Sequence, residues 1–266
     1  MNNSTKSLLL HYKNSDLDQY GLTLNMVEKA IDNIGFQSND LFRFTFGSDD
    51  PKSKSILTWL LNRFIPQDIL SIQIRNSEPA KRAFLDKGTR LDILSRVTDS
   101  SNTEHDVNIE IQNYGTTLEN TERSQLYVAK QIVDLNPEGS YNLSSIQAVH
   151  IMICNKLDLF SDIDEFYHEY IYIEKDRHEE LPGYLSRIIY IETEKLKPLA
   201  QTKPIEEWTD LEKLGFILRY SQTKEMHDII QLLIRENEVF QRMQEKRDEF
   251  FMSTIDSLNA IKRYYE

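Results

Sequence analysis

From Asp106 to Asn113 the chain alternates, with Val107, Ile109 and Ile111 on one side and Asn108, Glu110 and Gln112 on the other. That period of two marks a β-strand. Arg90–Leu94 reads the same way, Leu91 and Ile93 opposing Asp92, and the polar stretch Thr98–Glu104 suits a hairpin turn between the two strands. Helical spacing frames the hairpin, over Asp40–Phe64 before it and Leu118–Val133 after it. The apolar run Ala148–Cys154 then predicts a buried strand. Tyr167–Glu174 and Tyr184–Glu192 are read as neighbouring strands, with Glu174 and Glu192 ending them at solvent. Residues 1–36 read as helical up to Gly35. Lys197-Pro198 and Lys203-Pro204 mark a linker, because residues before proline disfavour helix. From Trp208 onward the pattern is helical, with an apolar stripe at Phe240, Met243, Phe250, Phe251, Ile255, Leu258 and Ile261. The expected division is an N-terminal helical segment (1–36), an α/β core (37–197) and a C-terminal helical region (198–266).

Composition adds exclusions. The 266 residues are 39% hydrophobic and 28% charged, ordinary for a globular protein that buries a sizeable core. Cys154, after Ile151-Met152-Ile153, reads as a small buried hydrophobe, and one cysteine excludes disulfides and multi-thiolate sites within the chain. Leu8–Leu10 is too short for a signal-peptide core and no apolar run approaches a membrane span, so a cytoplasmic, membrane-free protein is expected. The six histidines never fall in zinc-protease spacing, and neither a Gly-rich phosphate loop nor a serine-hydrolase elbow occurs. His105 beside the hairpin reads as an exposed turn residue, with reach to the hairpin acids as the other reading.

Two antiparallel strands joined by this hairpin bring Asp92 and Glu110 side by side. Such like charges repel unless a cation or shared proton neutralises them, and paired carboxylates suit Mg²⁺, which keeps several waters. The reading is a metal-dependent phosphodiester hydrolase; two acids on a solvated strand face are the plain alternative. The net charge of −12 opposes DNA binding. Against it, Lys52–Arg96 holds nine basic residues and four acids, and leads into Asp92. That segment reads either as a DNA-binding patch or as a solvated face.

The order helix, Asp strand, Glu-x-Gln strand, helix, buried strand resembles the PD-(D/E)XK nuclease superfamily, and more narrowly its recombination-promoting nuclease (Rpn) or "PD-(D/E)XK family transposase" members. Asp40-Leu41-Phe42-Arg43-Phe44-Thr45-Phe46-Gly47 is similar to that family's opening motif, and Leu60-Leu61-Asn62-Arg63-Phe64-Ile65 to the end of its first helix. Arg123 and Tyr127 match its second helix, while Gly139-Ser140-Tyr141 and Asp158-Leu159-Phe160 flank the next strand. The likeness spans roughly residues 38–250. Leu91 stands where the superfamily has proline, and Gln112 where it usually has lysine, glutamine there being associated with the Rpn type.

The resemblance implies an α/β restriction-endonuclease-like fold and Mg²⁺-dependent cleavage of DNA, with Mn²⁺ able to substitute. Asp92 and Glu110 would hold the metal, with the Ile111 carbonyl as third ligand. Gln112 would position water, and Asp40 is a lesser candidate from the first helix. Arg123, Tyr127, Lys130, Lys87 and Arg90 would contact substrate; Arg123 pairing with an acid and Tyr127 filling core is the other reading of that helix. The C-terminal stripe would either pack in its own domain or join a homodimer. A rival function is a catalytically silent protein that uses the same fold and its acidic surface to bind a basic partner.

Overall fold

The structure is a computed structural model and describes residues 3–75, 92–135, 146–155 and 159–266. Its contacts divide the chain into two units, one of residues up to Ile56 together with Phe216–Glu266, the other Leu57–Gly215. This differs from the sequence division at 36 and 197, since the N-terminal helices and the end of the chain share one unit.

The Leu57–Gly215 unit carries a six-stranded mixed sheet. In chain order its strands are β1 (Ile69–Arg75), β2 (Ile93–Asp99), β3 (Glu104–Gln112), β4 (Ile146–Cys154), β5 (Tyr167–Tyr170) and β6 (Ser186–Glu192). The spatial order is β1-β2-β3-β4-β6-β5. β1, β2 and β3 are antiparallel, β4 runs parallel to both β3 and β6, and β5 returns antiparallel on β6. The parallel step from β3 to β4 requires a crossover. Helix α6 (Thr117–Leu135) lies in that connection and packs on β4 and β6. β3 is therefore buried on both faces, Asn108 and Glu110 included. Strand alternation had suggested only that these residues share a side.

Elsewhere the predicted elements are adjusted by local chemistry. The Asp40–Phe64 helix is two, α4 (Asn39–Gly47) and α5 (Pro51–Leu61). Proline suits the first helical position, and the Asp50 carboxylate caps α5 by accepting from the backbone N–H groups of Lys52 and Ser53, each at 3.0 Å. Residues before Gly35 form three helices, α1 (Asn3–Leu9), α2 (Asn14–Tyr20) and α3 (Leu24–Asn33). Gly21 at φ 66° ends α2, and Thr23 caps α3 through the Met26 N–H. The strand expected over Tyr167–Glu174 stops at Tyr170, and β1 is an edge strand that the hydrophobic pattern had not marked. The proposed linker holds short helical turns, among them α7 (Leu199–Thr202), before α8 (Asp210–Tyr220).

In the other unit, α9 (His227–Glu236), α10 (Glu238–Met252) and α11 (Thr254–Tyr265) join the N-terminal helices. The C-terminal stripe is their core: Phe240, Met243, Phe250, Phe251, Leu258 and Ile261 are all buried, with Phe250 edge-on to Phe44. Only Ile255 of the stripe is exposed. The stripe therefore does not offer the dimer interface it suggested.

Glu192 corrects the strand-end reading. It is fully buried; one carboxylate oxygen accepts from the Leu159 and Phe160 N–H groups, and the other meets His168 Nε2 at 2.9 Å and Lys195 Nζ at 2.7 Å. A buried carboxylate persists because every lone pair is matched. Among the described residues no helix is long and apolar enough to cross a membrane.

Candidate active site

The β2–β3 ladder begins at Ile93 opposite Ile109, and Asp92 lies in the bend just before β2, where continuing that register by one residue would set it opposite Glu110. Side chains directly opposite in such a ladder lie about 5 Å apart at Cβ. Asp92 Oδ2 accepts from the Ile111 backbone N–H at 3.0 Å. A strand residue's C=O points the same way as its N–H, so the Ile111 carbonyl also faces the Asp92 side. The next carbonyl, that of Gln112, faces β4 and accepts from the Asn155 N–H at 2.9 Å.

The parallel register on the other flank sets Asn108 beside His150, Glu110 beside Met152 and Gln112 beside Cys154. This is the face that α6 covers. Its start is fixed by a capping box: Thr116 Oγ1 accepts from the Glu119 N–H, and Glu119 Oε2 from the Thr116 N–H. Gly115, at φ 100°, makes the tight turn into the helix, a conformation that favours glycine. Arg123 and Tyr127, one turn apart on α6, then face the acids. Arg123 NH2 stands 3.5 Å from Glu110 Oε2 and donates to Gln112 Oε1. The Gln112 amide nitrogen donates to the Tyr114 carbonyl. Tyr127 and Asn108 both hydrogen-bond the Glu110 carboxyl.

Electrostatics at Glu110 are those of a crowded acid. Burial first, and then the charge of Asp92, push its pKa up to about 8 against the opposing effects of Arg123, Tyr127 and Asn108. Burial and the same acids raise the Tyr127 phenol to about 12. The donor set fits a hard divalent cation: two carboxylates and a carbonyl, with solvent completing the shell. No cluster of three or more His, Cys, Asp or Glu side chains able to hold a metal occurs among the described residues, so a zinc-type set is absent there.

A model of the PD-(D/E)XK nuclease family transposases matches residues 38–261. The chain belongs to this family. No curated protein and no solved structure matches it. For this family member the mixed sheet flanked by helices is the α/β core that the family implies.

The other candidates are placed less favourably. Lys130 lies half-buried on α6, close to one turn beyond Tyr127, whereas Gln131 donates to the Asp106 carbonyl. Asp40 belongs to the other unit, where Arg263 Nε and NH2 hold both its oxygens at 3.0 and 2.7 Å. Lys87 and Arg90 fall outside the described residues, as do Gly139-Ser140-Tyr141 and Asp158. His105 is buried, not exposed, and its Nε2 lies 2.8 Å from Asp99 Oδ2 on the face opposite Glu110. Of the basic segment, Lys52, Lys54, Arg63, Arg75 and Arg96 all face acids: Glu245 and Glu249, Asp49, Asp210, Asp106, and Glu104 with Asp106. Its described part is thus largely neutralised. Sequence reasoning passed over Asn108 and His150. Asn108 Nδ2 lies 2.9 Å from His150 Nδ1, both fully buried, and the His150 ring stands edge-on to Tyr127 at 5.6 Å. A histidine inside an apolar strand was the available signal.

Proposed function

We propose that the chain hydrolyses phosphodiester bonds of DNA as a Mg²⁺-dependent endonuclease, with Mn²⁺ able to substitute. What supports this reading is the approach of Asp92 to Glu110 at the open end of the hairpin, where Asp92 accepts from the Ile111 N–H and its charge acts on the Glu110 carboxyl, in a chain of a nuclease family. Asp92, Glu110 and the Ile111 carbonyl would hold the cation. When bound, it would lower the pKa of a coordinated water and offset charge developing on the phosphate.

The chain's own groups have definite tasks. Glu110 must give up its proton to ligate. Arg123, 3.5 Å from Glu110 Oε2, could turn to a phosphate oxygen once the cation takes over the charge of Glu110. Gln112 carries no charge, so its amide can only orient water, exchanging its bond to Tyr114 or Arg123 for one to the nucleophile. Lys130, Lys87 and Arg90 would supply further phosphate contacts, and Tyr127 borders the substrate.

The test is nicking of supercoiled plasmid. Wild type with Mg²⁺ or Mn²⁺ should nick, chelation should abolish it, and Asp92→Ala and Glu110→Ala should each be inactive yet folded. Equal nicking by wild type and Asp92→Ala would assign the activity to a contaminant. Inactivity of wild type across metals, DNA forms and low salt would favour the catalytically silent partner-binding reading.

A further inference from the structure

Glu110 receives hydrogen bonds from two sides, from the Asn108 amide and from the Tyr127 hydroxyl. Both donors rest on the same residue. His150 touches Asn108 through Nδ1 at 2.9 Å, and its ring is edge-on to Tyr127 with centroids 5.6 Å apart. We propose that His150 is the positioning residue of this site, holding Asn108 and Tyr127 so that Glu110 presents its carboxylate towards Asp92; this rests on the nuclease reading above.

The chemistry of the contact fixes the roles. An amide nitrogen only donates, so His150 Nδ1 accepts and the ring proton sits on Nε2. The second amide hydrogen of Asn108 is then aimed at Glu110. Burial holds the ring neutral by lowering its pKa to about 3, which keeps Nδ1 an acceptor throughout the working range.

The pair is also a poor solution for stability alone. Asn108 and His150 are both fully buried, and Asn108 Oδ1 and His150 Nε2 have no hydrogen-bond partner among the described residues. Orphaned buried polar atoms destabilise a fold, and apolar residues of similar shape would pack there more favourably. Along the opposite face of the same two strands the sequence does use apolar residues: Val107, Ile109 and Ile111 beside Val149, Ile151 and Ile153, all buried. Polar groups stand on the Glu110 side, where an acid needs donors at fixed positions. Groups that orient a ligating side chain commonly affect metal affinity 10–100-fold when removed.

The experiment is a calorimetric titration of Mn²⁺ at about pH 8 without DNA, alongside thermal melts of the metal-free protein. His150→Phe keeps a ring against Tyr127 but removes the acceptor for Asn108. It should weaken Mn²⁺ about 10-fold or more while melting at or above wild type. His150→Gln restores an acceptor and should recover most of that affinity. Asn108→Leu should weaken Mn²⁺ similarly, and adding His150→Phe to it should weaken binding little further, because both act through one hydrogen bond. Unchanged Mn²⁺ affinity in folded His150→Phe overturns the proposal. So does equal weakening in His150→Gln, which also decides the matter if His150→Phe fails to fold. Absence of Mn²⁺ binding by wild type would instead overturn the metal site itself.

Discussion

On the proposed nuclease reading, a proton on Glu110 is the first thing a bound cation would displace. With its carboxyl pushed up to about 8, the metal-free site is mostly protonated at neutral pH. Mn²⁺ affinity should therefore rise about tenfold per pH unit from roughly pH 6 to 8 and flatten above. Calorimetry in buffers of different ionisation enthalpy would count the proton, and a pH-independent affinity would dismiss the mechanism. Stability runs the other way. Because the folded-state value lies above the ordinary 4.5, the contribution of Glu110 to metal-free stability is full below that pH and is lost as pH climbs through about 8. Glu110→Gln mimics the protonated acid, so it should match wild type near pH 5 and exceed it by about 1–2 kcal/mol near pH 9, read as a shift in melting temperature. Gln112→Ala should slow nicking about 10²–10³-fold, the loss seen when one transition-state donor is removed. Asp92 and Glu110 were legible in the sequence because strand alternation and a short hairpin fix which side chains share a face. The pairing of Asn108 with His150 was not, because the parallel register of β3 on β4 is set across the α6 crossover, and a histidine in an apolar strand does not name its partner.

Whether α6 forms in register decides whether Arg123 and Tyr127 reach the acids. Its capping box ends about one turn before Arg123 and two before Tyr127, so Thr116→Ala should lower thermal stability by about 1 kcal/mol and leave Mn²⁺ affinity near that of wild type. A large loss of affinity would mean that the first turn itself orders the site. The apolar spacing of Leu118–Val133 announced this helix, since one of its faces packs on the sheet. Asp40–Phe64 was read as one helix because apolar residues lie on both sides of Gly47-Ser48-Asp49-Asp50, but that wholly polar stretch, with Asp50-Pro51 as a helix-start signal, is the break between α4 and α5. β1 escaped because an edge strand buries little on either face. Glu192 was misjudged because a glutamate at a strand end is normally solvated, and the donors that bury it come from residues 159, 160, 168 and 195.

At the scale of the whole molecule, a net charge of −12 repels DNA at long range. The described basic residues of the 52–96 segment are largely committed to acids; on the proposed DNA reading the segment's other basic residues, Lys81, Arg82, Lys87 and Arg90, would be its phosphate contacts. With Arg123 and Lys130 these four make six contacts, which predict a slope of log affinity against log salt no steeper than about −5. Replacing those four by Gln should flatten it, while Arg75→Gln should leave it unchanged; a slope near −8 in DNA binding would show that the ion pairs open for substrate. The division of contacts also bears on synthesis at the ribosome. Helices α1 to α4 emerge early, yet Tyr12 bonds the Phe251 carbonyl at 2.8 Å and Ser257 Oγ at 2.9 Å, partners that are translated 239 and 245 residues later. At about 5–20 residues per second, the sheet unit in between delays that meeting by roughly 10–30 s. During that interval the nascent N-terminal helices expose the apolar faces they will later bury, and a chaperone has its opportunity there.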